Sequence, residues 1–135
     1  MIVLCLGSFD ILHYGHIEFL QRCAVLGDVV VALGTDAYQE GYKHRPFLNY
    51  RERSSAVAAL GYTVVERDEV SVLGLLDEVE PDYLVWGSDW IGEPILELSG
   101  LTVRDLTDRG ITLVFVPRDH DMSSSEIVRR VNAEA

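Results

Sequence analysis

Gly7-Ser8-Phe9-Asp10-Ile11-Leu12-His13-Tyr14-Gly15-His16 decides how this chain is read, because it joins the apolar run Ile2 to Leu6 to a stretch with helical apolar spacing. A short apolar run closed by a glycine reads as a buried parallel strand, and the residues after it as the turn into a helix from about His16 to Leu26. His13 and His16 stand three residues apart, the spacing of neighbours on one helix face. The first turn of a helix leaves backbone N–H groups without intrahelical partners, and the helix dipole favours an anion there. Gly7 and Gly15 permit close approach of backbone to a ligand, and the imidazoles can donate hydrogen bonds to phosphoryl oxygens. The turn therefore reads as a phosphate site with two imidazoles aimed at it.

Outward from that turn, strand-like and helical runs alternate. Val29 to Leu33 is a second strand, a polar loop follows Gly34, and the capping box Asn49-Tyr50-Arg51-Glu52 opens a helix to Leu60. Thr63 to Val65, Asp82 to Trp86 and Thr112 to Val116 are the remaining strands, separated by helical segments over Val72 to Val79 and Val103 to Arg109. A second capping box, Ser123-Ser124-Ser125-Glu126, starts a last helix running to about Asn132. This order predicts one α/β domain over residues 1–135, with a parallel five-stranded sheet and helices on both faces. Ligands of such sheets bind beyond the carboxyl ends of the strands. The first turn, the Trp86-Gly87-Ser88-Asp89-Trp90 loop and the loop from Arg118 to Ser123 all follow strands, so they are expected to converge on one crevice.

The formal net charge of −11 on 135 residues argues against a nucleic-acid or anionic-membrane surface, so positive charge for a polyanionic ligand has to be local. Lys43 is the only lysine, and Lys43-His44-Arg45 is the densest short basic cluster. A loop carrying Lys43 and Arg45 suits closure over phosphates, against the alternative of a solvated basic turn. Cys5 and Cys23 fall in a strand and a helix and read as core thiols, without the spacing of a metal pair or a disulfide framework. Neither a signal peptide nor a membrane span is expected, which places the chain in the cytoplasm.

His13-Tyr14-Gly15-His16 resembles the HxGH motif of the nucleotidyltransferase superfamily, whose fold is Rossmann-like. Gly7 to His13 is similar to the corresponding segment of its cytidylyltransferase-like branch, Trp86 to Trp90 to a second nucleotide loop, and Arg118 with Met122 to Ile127 to the branch's terminal arginine and serine-threonine element. These pieces lie in family order over almost the whole chain. The glycerol-3-phosphate cytidylyltransferases are the most similar group, with sugar-phosphate adenylyltransferase domains next. The resemblance implies transfer of a nucleoside monophosphate, CMP from CTP foremost, to a small phosphorylated acceptor such as glycerol 3-phosphate. Pyrophosphate would leave, and Mg²⁺ would neutralise the triphosphate. It also implies a homodimer, a common state among such enzymes.

On that resemblance His13, His16 and Lys43 are assigned to catalysis. Gly7, Ser8, Phe9, Gly15, Gly87, Asp89, Arg118, Ser123, Ser124 and Ser125 join the histidines in holding the nucleotide, and Asp10, Arg45, Arg53 and Trp90 face the acceptor. Several assignments have ordinary competitors. Asp10 reads equally as a turn hydrogen bond, Arg53 as a helix-surface ion pair, Trp86 and Trp90 as packing residues and Ser123 as a plain N-cap. Zinc is disfavoured for the histidine pair, since no HExxH arrangement or spaced cysteine partner accompanies it. The family's loop lysines align with Tyr42 and His44 in one register, and a basic position of the glycerol-phosphate enzymes is Gly61 here. The intervening Asp119-His120-Asp121 also differs from many relatives. Two other readings stay open: an ATP-using adenylyltransferase, and a non-catalytic nucleotide-binding regulatory module.

Overall fold

The computed structural model describes residues 1–118 and 123–134. Five strands, β1 (Ile2–Gly7), β2 (Asp28–Gly34), β3 (Thr63–Arg67), β4 (Tyr83–Gly87) and β5 (Thr112–Val116), form one parallel sheet in the order β3-β2-β1-β4-β5. The central strand is flanked on both sides, with Val3 opposite Val29 and Tyr83, and Cys5 opposite Val31 and Val85. Alternation along β1 divides the core in two. Val3 and Cys5 pack with Leu20 and Cys23 of α1 (Tyr14–Ala24) and Val57 of α3 (Tyr50–Ala59), while Leu4 packs on the other face. There it meets Leu75 and Leu76 of α4 (Leu73–Val79), Ile95 of α5 (Ile95–Leu98) and Leu106 of α6 (Val103–Arg109). The fold is the expected Rossmann-like α/β sheet with helices on both faces. Helix α7 (Ser124–Glu134) closes the chain of elements.

Residues chosen for local structure end up where their chemistry requires. Asn49 caps α3 through Glu52 N–H, and the Glu52 carboxylate accepts the Asn49 N–H in return. Thr102 and Asp105 make the same reciprocal pair at α6, which Gly110 ends in the left-handed conformation. The Cys5 and Cys23 thiols are buried, and the hydrogen bond between them, with burial, raises the Cys5 pKa well above its ordinary value. That is the signature of an inert core thiol.

The polar loop expected after Gly34 differs. Residues Asp36–Tyr42 form a helix, α2, capped by the Thr35 hydroxyl accepting from Tyr38 N–H at 3.2 Å. Lys43 is its C-terminal cap residue, so the connection that carries the basic cluster runs only over residues 43–49. No helix among the described residues is long and apolar enough to cross a membrane.

Candidate active site

Strands β1 and β4 are sheet neighbours although the chain passes through β2 and β3 between them, and this reversal opens a crevice at their carboxyl ends. A cavity of about 660 Å³ occupies that edge. Its wall brings together Gly7, Ser8 and Phe9 of the first turn, Gly15 and His16 of α1, Gly87 at the end of β4 and Asp89 beyond it, Arg118 after β5, and the serines at the start of α7. The three convergent loops expected from the sequence thus share one cavity. Asp119, His120, Asp121 and Met122 lie outside the described residues.

The histidine pair is built by capping. His13 is the N-cap of α1, which begins at Tyr14, two residues before the expected helix start; its Nδ1 accepts from Gly15 N–H at 3.1 Å, and His16 Nδ1 accepts from His13 N–H at 3.3 Å. A ring nitrogen that accepts a backbone N–H is unprotonated, so each neutral imidazole carries its proton on Nε2, as a donor. The rings stack with centroids 3.8 Å apart and planes 23° apart, and Phe9 lies 5.1 Å from His16. His16 is on the cavity wall, and His13, mostly buried, backs it.

Backbone strain marks the same turn. Phe9 and Ile11 have φ of 48° and 51°, the left-handed region that side chains, branched ones above all, seldom adopt. Two anchors hold it. The Phe9 ring is buried in the core, and Asp10 between the strained residues accepts from Phe47 N–H at 2.8 Å and Leu48 N–H at 3.0 Å. Asp10 lines the cavity, yet both its oxygens are engaged in joining the turn to the connection after Lys43, the turn-bond reading of this residue. The Asp10 carbonyl also accepts from the Ser124 hydroxyl, which ties α7 to the turn. Gly7 has no room for a side chain: a Cβ there would sit 2.7 Å from Phe9 Cε2. Gly7→Ala is expected to displace Phe9 and cost about 1–3 kcal/mol, the usual penalty of overpacking, measured by denaturant unfolding.

Arg53 is corrected by the structure. It is fully buried within the protein and takes no part in the cavity wall, so it is neither an acceptor contact nor a surface ion pair. Its guanidinium donates to Ser8 O at 2.9 Å, Gly34 O at 2.8 Å and Leu48 O at 3.0 Å, and pairs with Asp36 at 2.8 Å. It therefore fastens the first turn, the end of β2 and the entry to α3 to one another. Arg45 is exposed and off the cavity wall; its charge acts on Asp36. Lys43 lines the cavity with His44 beside it.

On the other side of the crevice, the Ser88 hydroxyl accepts from Arg118 N–H at 2.8 Å, and the Arg118 guanidinium stands 3.6 Å from the Asp89 carboxylate. A Cβ on Gly87 would meet Asp89 Oδ1 at 2.6 Å, so glycine leaves the space that Asp89 uses. Trp86 is buried in the second core and Trp90 packs beside it, while both also reach the cavity. Ser123 caps α7 by accepting from Glu126 N–H at 3.1 Å. Arg129 and Arg130 hold the Glu126 carboxylate, lowering its pKa to about 2. Ser124 and Ser125 lie on the cavity wall at the helix's positive end.

Sequence reasoning missed the wall supplied by α2 and β3. Tyr38, Gln39 and Tyr42 face the cavity from α2, and Arg67 from the end of β3.

The sequence profile of the cytidylyltransferase-like family matches residues 4–130, and the chain belongs to that family. It is 37% identical over 124 residues to the bifunctional protein HldE of Syntrophotalea carbinolica, covering 83% of this chain and 25% of that protein. It is 35% identical over 95 residues to the glycerol-3-phosphate cytidylyltransferase of Staphylococcus aureus, covering 67% of this chain and 72% of that one. The crystal structure of the lipopolysaccharide core biosynthesis protein from Thermoplasma volcanium superposes with a TM-score of 0.70 at 26% identity, over 90% of this chain and 98% of that one. The chain spans about a quarter of the length of the HldE proteins it matches.

Proposed function

We propose that this protein is a nucleotidyltransferase that moves a nucleoside monophosphate from a nucleoside triphosphate to a small phosphorylated acceptor, with CTP and glycerol 3-phosphate the first pair to test. The observation that carries the reading is the stacked imidazole pair at the start of α1, whose His16 lines a cavity that also contains the start of α7 and the Asp89–Arg118 pair. Family membership and the cytidylyltransferase relative support it.

In this reaction a phosphate oxygen of the acceptor attacks the α-phosphorus, a new P–O bond forms, and the bond from that phosphorus to the bridging oxygen breaks as pyrophosphate leaves. No side-chain nucleophile is needed. The chain contributes alignment and charge stabilisation: Nε2–H groups of His13 and His16 and the N–H groups at the starts of α1 and α7 stabilise the phosphoryl oxygens. The backbone of Gly7, Ser8, Phe9 and Gly15 lets the triphosphate approach, and Gly87, Asp89 and Arg118 read the base edge. Trp90 and the turn held by Asp10 border the acceptor.

Mg²⁺ fits this site as an ion carried by the substrate. Asp10 is spent on backbone N–H groups, Asp89 faces Arg118, and the described residues contain no cluster of three potential metal ligands. Triphosphate oxygens and water would hold the ion, which supplies neutralisation of the phosphate charge. The same reading takes the working unit to be a cytoplasmic homodimer.

The deciding experiment is a pyrophosphate-release screen of CTP and ATP against glycerol 3-phosphate and sugar phosphates. Release requiring both substrates supports transfer, and the preferred nucleotide separates cytidylyl from adenylyl transfer. Nucleotide-dependent thermal stabilisation without release would instead identify a binding module. Lys43→Ala is expected to lower kcat about tenfold or more while changing the nucleotide Kd little, as befits a cation engaged mainly with transition-state charge. Rapid-quench and equilibrium binding measurements on the variant check this split, and equal constants would return Lys43 to the solvated surface.

A further inference from the structure

Arg67, the last residue of β3, is half-buried on the cavity wall and has no described carboxylate within salt-bridge distance, although most arginines of this acidic chain do. Its own backbone surroundings fix the guanidinium. Nε donates to Glu69 O at 3.2 Å and Nη2 to Val70 O at 2.8 Å, while Cζ lies 4.5 Å from the centroid of the Tyr38 ring. Tyr38 in turn stacks on Tyr42, centroids 5.9 Å apart and planes 10° apart. These bonds consume the side-on edge of the guanidinium. The end-on edge, formed by Nη1 and the second proton of Nη2, makes no hydrogen bond among the described residues. Two parallel N–H donors at that edge match the oxygens of a phosphate monoester. Burial pushes the guanidinium pKa below its ordinary value, against the opposing effect of Tyr38 and Tyr42.

The position of Arg67 in the sheet selects which phosphate it meets. Asp89 and Arg118 follow β4 and β5, on one side of the histidine turn, whereas Arg67 ends β3 and Tyr38 follows β2, on the other. An in-line displacement places the attacker across the reacting phosphorus from the departing pyrophosphate; with the base beside Asp89 and Arg118, the half of the cavity lined by Arg67 and Tyr38 is the one left to the attacker. We propose that Arg67, held flat by Tyr38, is the specificity-determining residue that binds the phosphate group of the acceptor. This deepens the nucleotidyl-transfer reading and rests on it for the word acceptor; the phosphate-binding role itself does not depend on turnover.

The test is calorimetric titration of the intact chain and of Arg67→Gln with glycerol 3-phosphate, inorganic phosphate and CTP separately, followed by pyrophosphate release with CTP and glycerol 3-phosphate. The expected result is a loss of about 10–100-fold in affinity for both phosphate probes, the range for hydrogen bonds to a charged group, with CTP binding unchanged. KM for glycerol 3-phosphate should rise by a similar factor. Arg67→Lys retains charge without the fork and should lose affinity to a smaller extent, which keeps the proposal testable if the glutamine variant fails to fold. Unchanged phosphate affinity in both variants, or no binding of either phosphate probe by the parent, overturns the assignment. An equal loss for CTP overturns it too, by moving Arg67 to the triphosphate. If the parent releases no pyrophosphate with any substrate pair, the transfer reading fails, and the titrations still decide whether Arg67 binds phosphate.

Discussion

His16→Ala is expected to lower the rate of nucleotidyl transfer by about 10²–10³-fold, the effect of deleting one preorganised donor to a developing oxyanion. The expectation follows from geometry. His16 reaches the cavity wall, and because its Nδ1 accepts from the His13 N–H, its neutral ring carries its proton on Nε2. His13→Ala should reduce the rate comparably, because His13 both caps α1 and stacks on its partner. The two losses should not add, since each ring positions the other. Single-turnover rates and thermal melts of each variant are the measurement; a folded double variant that retains the parent rate would refute the catalytic assignment.

Arg53→Met is expected to cost about 3–5 kcal/mol, the combined penalty of leaving several buried carbonyls without a donor at about 1–3 kcal/mol each. That is a large share of the roughly 5–15 kcal/mol that holds a typical domain together, so the variant should be partly unfolded at ambient temperature. Three carbonyls from separate segments would lose their donor at once. The pair also has a pH signature. The Arg53 guanidinium, hydrogen-bonded to Asp36, lowers the Asp36 pKa from its ordinary value. A depressed carboxylate contributes stability above the ordinary carboxylate range, near about pH 4, and that contribution is lost as pH falls through the lower folded value. Asp36→Asn should therefore flatten part of the acid limb of a stability-versus-pH curve. An unchanged limb would mean that the pair adds nothing to the fold.

Much of this architecture could be read from residue order. Apolar runs of strand length, the capping box at Asn49, the Ser123 cap and the glycines that end β1 and β4 carry local instructions that tertiary structure preserves. Helix α2 escaped notice because its seven residues bury no side chain, so they show no apolar period. With it went Tyr38 and Tyr42. Arg67 escaped because β3 continues two residues past its last apolar position, where a polar pair at a sheet edge resembles a loop. The burial of Arg53 is a property of the three segments it joins, which lie far apart in sequence, and local composition does not encode it. The histidine turn was legible because its spacing, glycines and flanking strand all serve one local purpose.

The left-handed conformations of Phe9 and Ile11 set evolution and protein engineering against each other in the turn beside the cavity. Glycine or asparagine would relieve Ile11 of its steric penalty, so a mutant library screened only for heat resistance should enrich such replacements. Those survivors would carry a more pliant histidine turn. A campaign to harden this protein would consequently do well to freeze the two positions from the outset and seek its gains on the far side of the sheet, where the chain is under no obligation to a ligand.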